Sequence, residues 1–432
     1  MSEEKPTKKL GLWMSTSLVI GNMIGAGIFL MPSALAAYGG ISILGWLFSA
    51  VGALSLAMVF GKLSSMVPDK SGGPYVFAKV GFGDFVAFLV AWGYWISIWV
   101  ANAAIAIAFV GALSVFIPAL EENKLLAVLI GLSAIWLLTW INSKGVKESG
   151  KMQLVTTALK LVPLLLIIIG GFFFFNPDNF SPFNLSDKNT FGAISITAAM
   201  TLYAYMGVES ATIPAASIEN PEKTIPRATM LGTVITAMVY ILGTVMIMGM
   251  IPPEILAKSP APYADAMEII SGSWGRDLVA IGAAIAAFGA LNGWILVQGQ
   301  IAMATAKDDL FPKLFKKENK NGVPILGMIL GSTLTSVVML MNYTDGLVDQ
   351  FKFLILLTAL CVLIPYLFSA ASYVLITIQR KGDTANWVSV LGLGGLAFAY
   401  SLWAIFGAGE EAVFWGFILL MSGIPLYVYM KR

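Results

Sequence analysis

Lys160 and Glu209 are the residues of this sequence best placed to do chemistry, because each is an isolated charge inside a long apolar run. An ionisable side chain within a membrane is costly and marks function by default. Each also has a structural alternative. Lys160 lies about eight residues from the end of its run and could snorkel its ammonium to the interface. Glu209 could be a structural acid held by backbone N–H groups at a helix break. The 432 residues contain no histidine and one cysteine, Cys361. The commonest metal ligand and the usual neutral-pH proton relay are therefore missing, and no disulfide or thiolate cluster forms within one chain. A membrane enzyme or respiratory subunit would need intramembrane His, Cys or several carboxylates for haem, metal or quinone chemistry. No metal site and no cofactor are expected.

Two glycine-containing segments supply backbone for the rest of the chemistry. The first is Gly21-Asn22-Met23-Ile24-Gly25-Ala26-Gly27; the second runs from Tyr203 through Met206, Gly207 and Glu209 to Pro214. Glycine is poor helix material. Either segment alone could serve close helix packing. As a pair they open the first and second sets of five spans. Interrupted helices at corresponding places in two halves point to an inverted-repeat transporter with its site at mid-membrane. The half-helix beginning near Ala26 and Gly27 would offer N–H groups and its dipole to a carboxylate. Freed carbonyls near Met23, Ile24 and Met206 would accept from an ammonium, so one zwitterion would satisfy both sets.

The elements that must hold these groups are membrane helices. Residues are 58% hydrophobic and 12% charged, with a mean hydropathy of +0.83, against roughly 25% charged in soluble domains. The runs are continuous rather than alternating, which favours helices over a barrel. Twelve spans are expected, at about 11–38, 41–66, 83–117, 124–142, 152–175, 190–217, 228–251, 276–305, 323–343, 351–378, 386–407 and 411–430. No cleavable signal is legible at the N-terminus, so the first span is expected to stay in the protein. With the N-terminus inside, 20 of the 26 Lys and Arg fall in cytoplasmic segments and five outside, leaving Lys160; this bias sets the orientation. Both termini are expected in the cytoplasm of an inner-membrane protein. A net charge of +2 gives no field for nucleic acid. A channel would want rings of like charge or a filter repeat. An ATP-driven pump would want a G-x-x-x-x-G-K loop. None of these occurs in the sequence.

With these residues in hand, the chain resembles the amino acid–polyamine–organocation superfamily over about Leu10 to Tyr429. It is most similar to the basic amino acid and polyamine antiporters, such as the arginine/agmatine and putrescine/ornithine antiporters. The marks are GNMIGAGIFLMP from Gly21, SGGPY from Ser71, GVES from Gly207, ENPEKTIP from Glu219, GMIP from Gly249, GALNGW from Gly289, KDDLFPK from Lys307 and IPYL from Ile364. The resemblance implies an all-α membrane protein of twelve transmembrane helices. Two inverted five-helix repeats, about 11–175 and 190–378, would be followed by two extra helices at about 386–430, all in one transporter domain. It implies a substrate head group on Met23, Ile24, Gly25, Ala26 and Gly27. The substrate side chain would lie near Ser97, Ile98, Asn102, Ile105, Tyr203, Met206, Trp294 and Thr358. Tyr94 and Tyr366 match gating tyrosines, and Glu209 the acid tied to gating and protons. A small amino acid or amine is the implied partner, moved by alternating access, and members of this group tend to dimerise.

Departures from the arginine antiporter bear on substrate. Position 26 is Ala in place of Ser, position 105 is Ile in place of Met, and position 203 is Tyr in place of Trp; Trp is the better face for a cation. Lys160 is a further departure. Proton-coupled amino acid transporters of the same superfamily carry a lysine in the fifth helix where related symporters use sodium, so proton symport stands beside exchange. In its charged form Lys160 is expected to tie the fifth helix to the broken first one. Asn102 could be interhelical glue or a ligand. Trp294 could be core or a site aromatic.

Overall fold

Backbone polar groups have no water to bond within a bilayer, so apolar runs of this length close their hydrogen bonds internally as helices. The computed structural model describes residues 9–68, 70–259, 261–341, 347–381 and 386–431, without side chains at 26, 121, 341, 347–357, 359 and 381. It is all-α among the described residues, apart from an isolated bridge between Leu10 and Ile218. Among the described residues, ten helices are long and apolar enough to cross a membrane. An eleventh span is counted if the bent pair Leu12–Met23 and Gly27–Ala36 is one span. The expected span at 323–343 coincides with a shorter apolar helix, Ile325–Leu340.

The order of elements runs the same way twice. The first half begins with α1 (Leu12–Met23), a 3-10 turn (Ala26–Leu30) and α2 (Met31–Ala36), bent by 47° at the break. Then come α3 (Ser42–Met66), short α4 (Pro74–Phe82), long α5 (Asp84–Ser114), α6 (Lys124–Ser143) and α7 (Val146–Gly171). The second half begins with α8 (Thr190–Leu202), which dissolves into 3-10 turns up to Ser217. It continues with α9 (Pro221–Met250), short α10 (Pro262–Ser271), long α11 (Ser273–Lys307), α12 (Ile325–Met341) and α13 (Leu347–Lys381). The helices α14 (Trp387–Gly407), α15 (Glu410–Met421) and α16 (Ile424–Met430) follow. Both α4 and α10 start on proline, which is pre-set for a first helical turn. Both end on a glycine in nearly the same conformation, Gly83 (φ 81, ψ −173) and Gly272 (φ 76, ψ −163), which starts the long helix that follows. The helix α4 lies between the expected spans at 41–66 and 83–117, and its Pro-to-Gly bounds are visible in the sequence.

In lipid no hydrophobic force drives helices together, so small residues that let backbones approach matter most. On α11 a Cβ at Gly282 would lie 2.5 Å from Pro163, at Gly289 2.5 Å from Thr156, and at Gly293 1.9 Å from Asn22 Oδ1. That seam brings α7 and α1 against α11. The opposite face of α7 is open, with Val155, Leu159, Val162, Leu166 and Ile169 exposed, while Lys160 is 0% exposed. Lys160 therefore faces the bundle and does not snorkel. Amides bridge the same seam. Asn142 Nδ2 donates to Asn292 Oδ1 (3.0 Å), and Asn292 Nδ2 donates to Gln153 Oε1 (2.9 Å). Interhelical bonds of this kind stabilise by ~0.6 kcal/mol on average.

Two of the quoted motifs have structural work. Gly72 N–H donates to Ile213 O (2.8 Å), and Ser71 Oγ accepts from Ala216 N–H (3.1 Å), which braces the second break. Tyr75 OH donates to Asp308 (2.7 Å), and Lys79 pairs with the same carboxylate (2.9 Å), pinning α4 to the end of α11.

Candidate functional site

The first break is backbone without side-chain cover. After Met23 the chain turns extended, with Ile24 at φ −79, ψ 84 and Gly25 at φ −98, ψ −164, before the 3-10 turn begins at Ala26. A Cβ built on Gly25 or Gly27 would meet no atom within 4 Å, and neither glycine is in the left-handed region. Packing and backbone strain therefore do not account for glycine at these two positions. Gly21 differs: its Cβ would fall 1.7 Å from Gln153 Nε2, so close packing explains it. The side chain of Ala26 lies outside the described residues.

The carbonyl side of the break is already engaged. Lys160 Nζ donates to Ile24 O (2.7 Å) and Gly21 O (2.9 Å), with Ala286 O at 3.4 Å. Three ammonium donors thus meet three carbonyls drawn from α1, its break and α11. Tyr240 OH donates to Met23 O (2.8 Å), which also receives Gly25 N–H (2.9 Å). The carbonyls of Met23 and Ile24, expected to be free for an ammonium, have protein donors.

The second break touches the first. Met206 is extended (φ −63, ψ 135) and Gly207 has φ +105. At that φ a side chain is strained, and a Cβ on Gly207 would lie 3.2 Å from the backbone carbon of Asn22. Asn22 Nδ2 donates to Ser210 Oγ at 2.9 Å, joining the breaks side to side. Beside them Glu209, 0% exposed, accepts from the hydroxyls of both Tyr94 and Tyr366. Gly207 N–H donates to Tyr366 OH (3.0 Å). Glu209 is thus held by two phenols, one from α5 and one from α13.

The remaining expected residues are placed less evenly. Trp294 sets its ring edge-on to Tyr94, with centroids 6.4 Å apart at 63°. Asn102 donates to Gln298 Oε1 (3.0 Å). Ser97 turns its hydroxyl back to Tyr94 O (2.7 Å), inside its own helix. Ile98 is buried on α5 and Thr358 on α13, while Ile105, Tyr203 and Met206 are half-buried. A cavity of about 410 Å³ near Lys62, Ser65, Tyr373, Thr377 and Asn386 shares no residue with either break. Tyr240, Gln298 and the Asn142–Asn292–Gln153 amides are not among the residues expected from the sequence. Amides inside apolar spans were the available signal.

Residues 10–429 match the amino acid permease family. The chain belongs to that family. This permease is a multi-pass membrane transporter of the superfamily its motifs resemble, and it is not an enzyme. It is 32% identical to an arginine/ornithine antiporter of Pseudomonas aeruginosa, covering 100% of this chain and 92% of the relative. It is 34% identical to a cadaverine/lysine antiporter of Escherichia coli, over 98% of this chain and 95% of that one. It is 33% identical to a putrescine transporter of the same organism, over 99% and 97%.

Proposed function

We propose that this permease exchanges basic amino acids, or the amines related to them, across the inner membrane by alternating access. The observation that carries the reading is the bare backbone at Gly25 and Gly27, glycine where neither packing nor strain asks for it. A carboxylate approaching the helix that begins at Ala26 would find unpaired N–H groups and the positive end of the dipole. The relatives' substrates support a cationic cargo. Arginine/agmatine exchange is the narrower form, and Ala26, Ile105 and Tyr203 weaken it. Lysine, ornithine and their diamines are the first substrates to try.

The repeated element order supports two inverted five-helix repeats, and the Lys and Arg distribution supports cytoplasmic termini. Tyr94, Tyr366 and Glu209 would form a gate that closes one side of the substrate, with Trp294 against it. A second reading, proton-coupled symport, is favoured by one observation: Lys160 holds the carbonyls of the first break. Competition by a panel of unlabelled amino acids and amines against labelled lysine in proteoliposomes tests the substrate class. Competition by neutral amino acids alone would remove the cationic reading.

A further inference from the structure

A chain of hydrogen bonds crosses from α6 to α5, and its direction is fixed by two backbone carbonyls, Ile135 O and Met328 O, which can only accept. Thr139 Oγ1 gives its one proton to Ile135 O (2.8 Å). The bond between Thr139 and Ser332 hydroxyls (2.7 Å) must then be donated by Ser332. Gln298 Nε2 donates to Met328 O (3.0 Å) and to Ser332 Oγ (3.3 Å). Amide oxygen and nitrogen are ordinarily assigned from such networks. Here a backbone carbonyl decides: only the NH₂ of Gln298 can face Met328 O. Its oxygen therefore faces Asn102, and Asn102 must present its own NH₂ there, at 3.0 Å. A glycine makes room for this, since a Cβ at Gly331 would lie 2.5 Å from Gln298 Cδ.

The amide of Asn102 is thereby left with one free head. Its Oδ1 has no hydrogen-bond partner among the described residues, and the residue is 1% exposed. Asn102 stands one helical turn from Ile98 and two from Tyr94, on the α5 face that carries the gate tyrosine. An unpaired buried acceptor is unfavourable until a donor meets it. A neutral amide oxygen welcomes an ammonium or guanidinium, and it rejects a methyl or a carboxylate.

We infer that Gln298 is a positioning residue for specificity: it locks the Asn102 amide with its oxygen presented as an acceptor, and so selects substrates whose far end donates hydrogen bonds. This rests on the reading of the site as an amino acid or amine carrier. Gln298 itself need not touch the substrate.

The test is uptake of labelled lysine and of norleucine, which ends in a methyl, by purified full-length protein in proteoliposomes. Gln298→Met keeps the bulk and frees the Asn102 amide to turn. The lysine-to-norleucine ratio is expected to fall by about tenfold, the size of one hydrogen bond to a charged group. Norleucine uptake and the melting temperature in detergent report whether the variant is a working carrier; Gln298→Leu serves if the Met variant fails to insert. Asn102→Ala should lower the ratio similarly, and adding Gln298→Met to it should change the ratio no further. Independent, additive losses would mean that Gln298 acts elsewhere and would overturn the inference. So would a wild-type ratio in the Gln298 variants. Wild-type protein that carries no donor-ended amino acid or amine overturns the transport reading together with this inference.

Discussion

The ammonium of Lys160 sits 2.7 Å from the carbonyl oxygen of Ile24, at the point where the first span stops being a helix. One side chain from α7 thus closes the carbonyl end of the break, while Gly25 and Gly27 leave the backbone that follows without side-chain cover. The charged form of Lys160 has three donors for three carbonyls. The neutral amine would turn a lone pair toward one of them. Protonation therefore ties α7 to the break, and loss of the proton with rising pH loosens it.

Lys160→Ala is expected to flatten the dependence of transport on pH while substrate binding survives. The measurement is initial uptake across a pH series for wild type and variant, with binding followed separately in detergent. A Lys160→Ala profile that superimposes on wild type would leave the lysine a structural tie only.

The two glycine roles separate cleanly. Gly27→Val should insert and remain stable but fail to bind substrate, because its side chain enters open space beside the bare backbone. Gly21→Ala should lower stability instead, since its Cβ would fall 1.7 Å from the Gln153 amide; overpacking of this kind costs ~1–3 kcal/mol. Thermal unfolding in detergent, paired with a binding assay, distinguishes the two outcomes.

Tyr366 has more to lose than Tyr94. Its hydroxyl donates to Glu209 and also accepts the Gly207 N–H, whereas the Tyr94 hydroxyl has the Glu209 contact. Tyr366→Phe leaves a buried donor and a carboxylate oxygen unmatched, at ~1–3 kcal/mol for such a group. It should therefore melt below Tyr94→Phe. Equal melting temperatures would mean that the Gly207 bond contributes little.

Much of this was legible in the sequence because membrane chains announce their helices. Continuous apolar runs gave the spans, and Gly21–Gly27 and Tyr203–Ser210 marked the breaks. What the sequence does not carry is the azimuth of each helix. Lys160 could have faced lipid or bundle until the exposed stripe from Val155 to Ile169 showed which side of α7 faces outward. The same ambiguity hid Tyr240 and Gln298, since a Tyr or Gln in an apolar run reads alike on either face. The expectation that Met23 and Ile24 carbonyls stand free failed for a related reason: the donors that reach them come from α7 and α9, far away in sequence.

Substrate choice should respond to Tyr203, half-buried at the second break. Tyr203→Trp is expected to shift competition toward arginine-like cations by ~0.5–2 kcal/mol, since Trp is the better partner for a desolvated cation. An unchanged competition profile would remove Tyr203 from the pocket.

The most direct test of exchange through the paired break is labelled lysine uptake into proteoliposomes that are empty or preloaded with lysine, ornithine or putrescine, with Gly27→Val alongside. Exchange through this site gives uptake only into preloaded vesicles and none for Gly27→Val. Uptake into empty vesicles at the preloaded rate without a pH gradient, or Gly27→Val protein that exchanges like wild type, would contradict it.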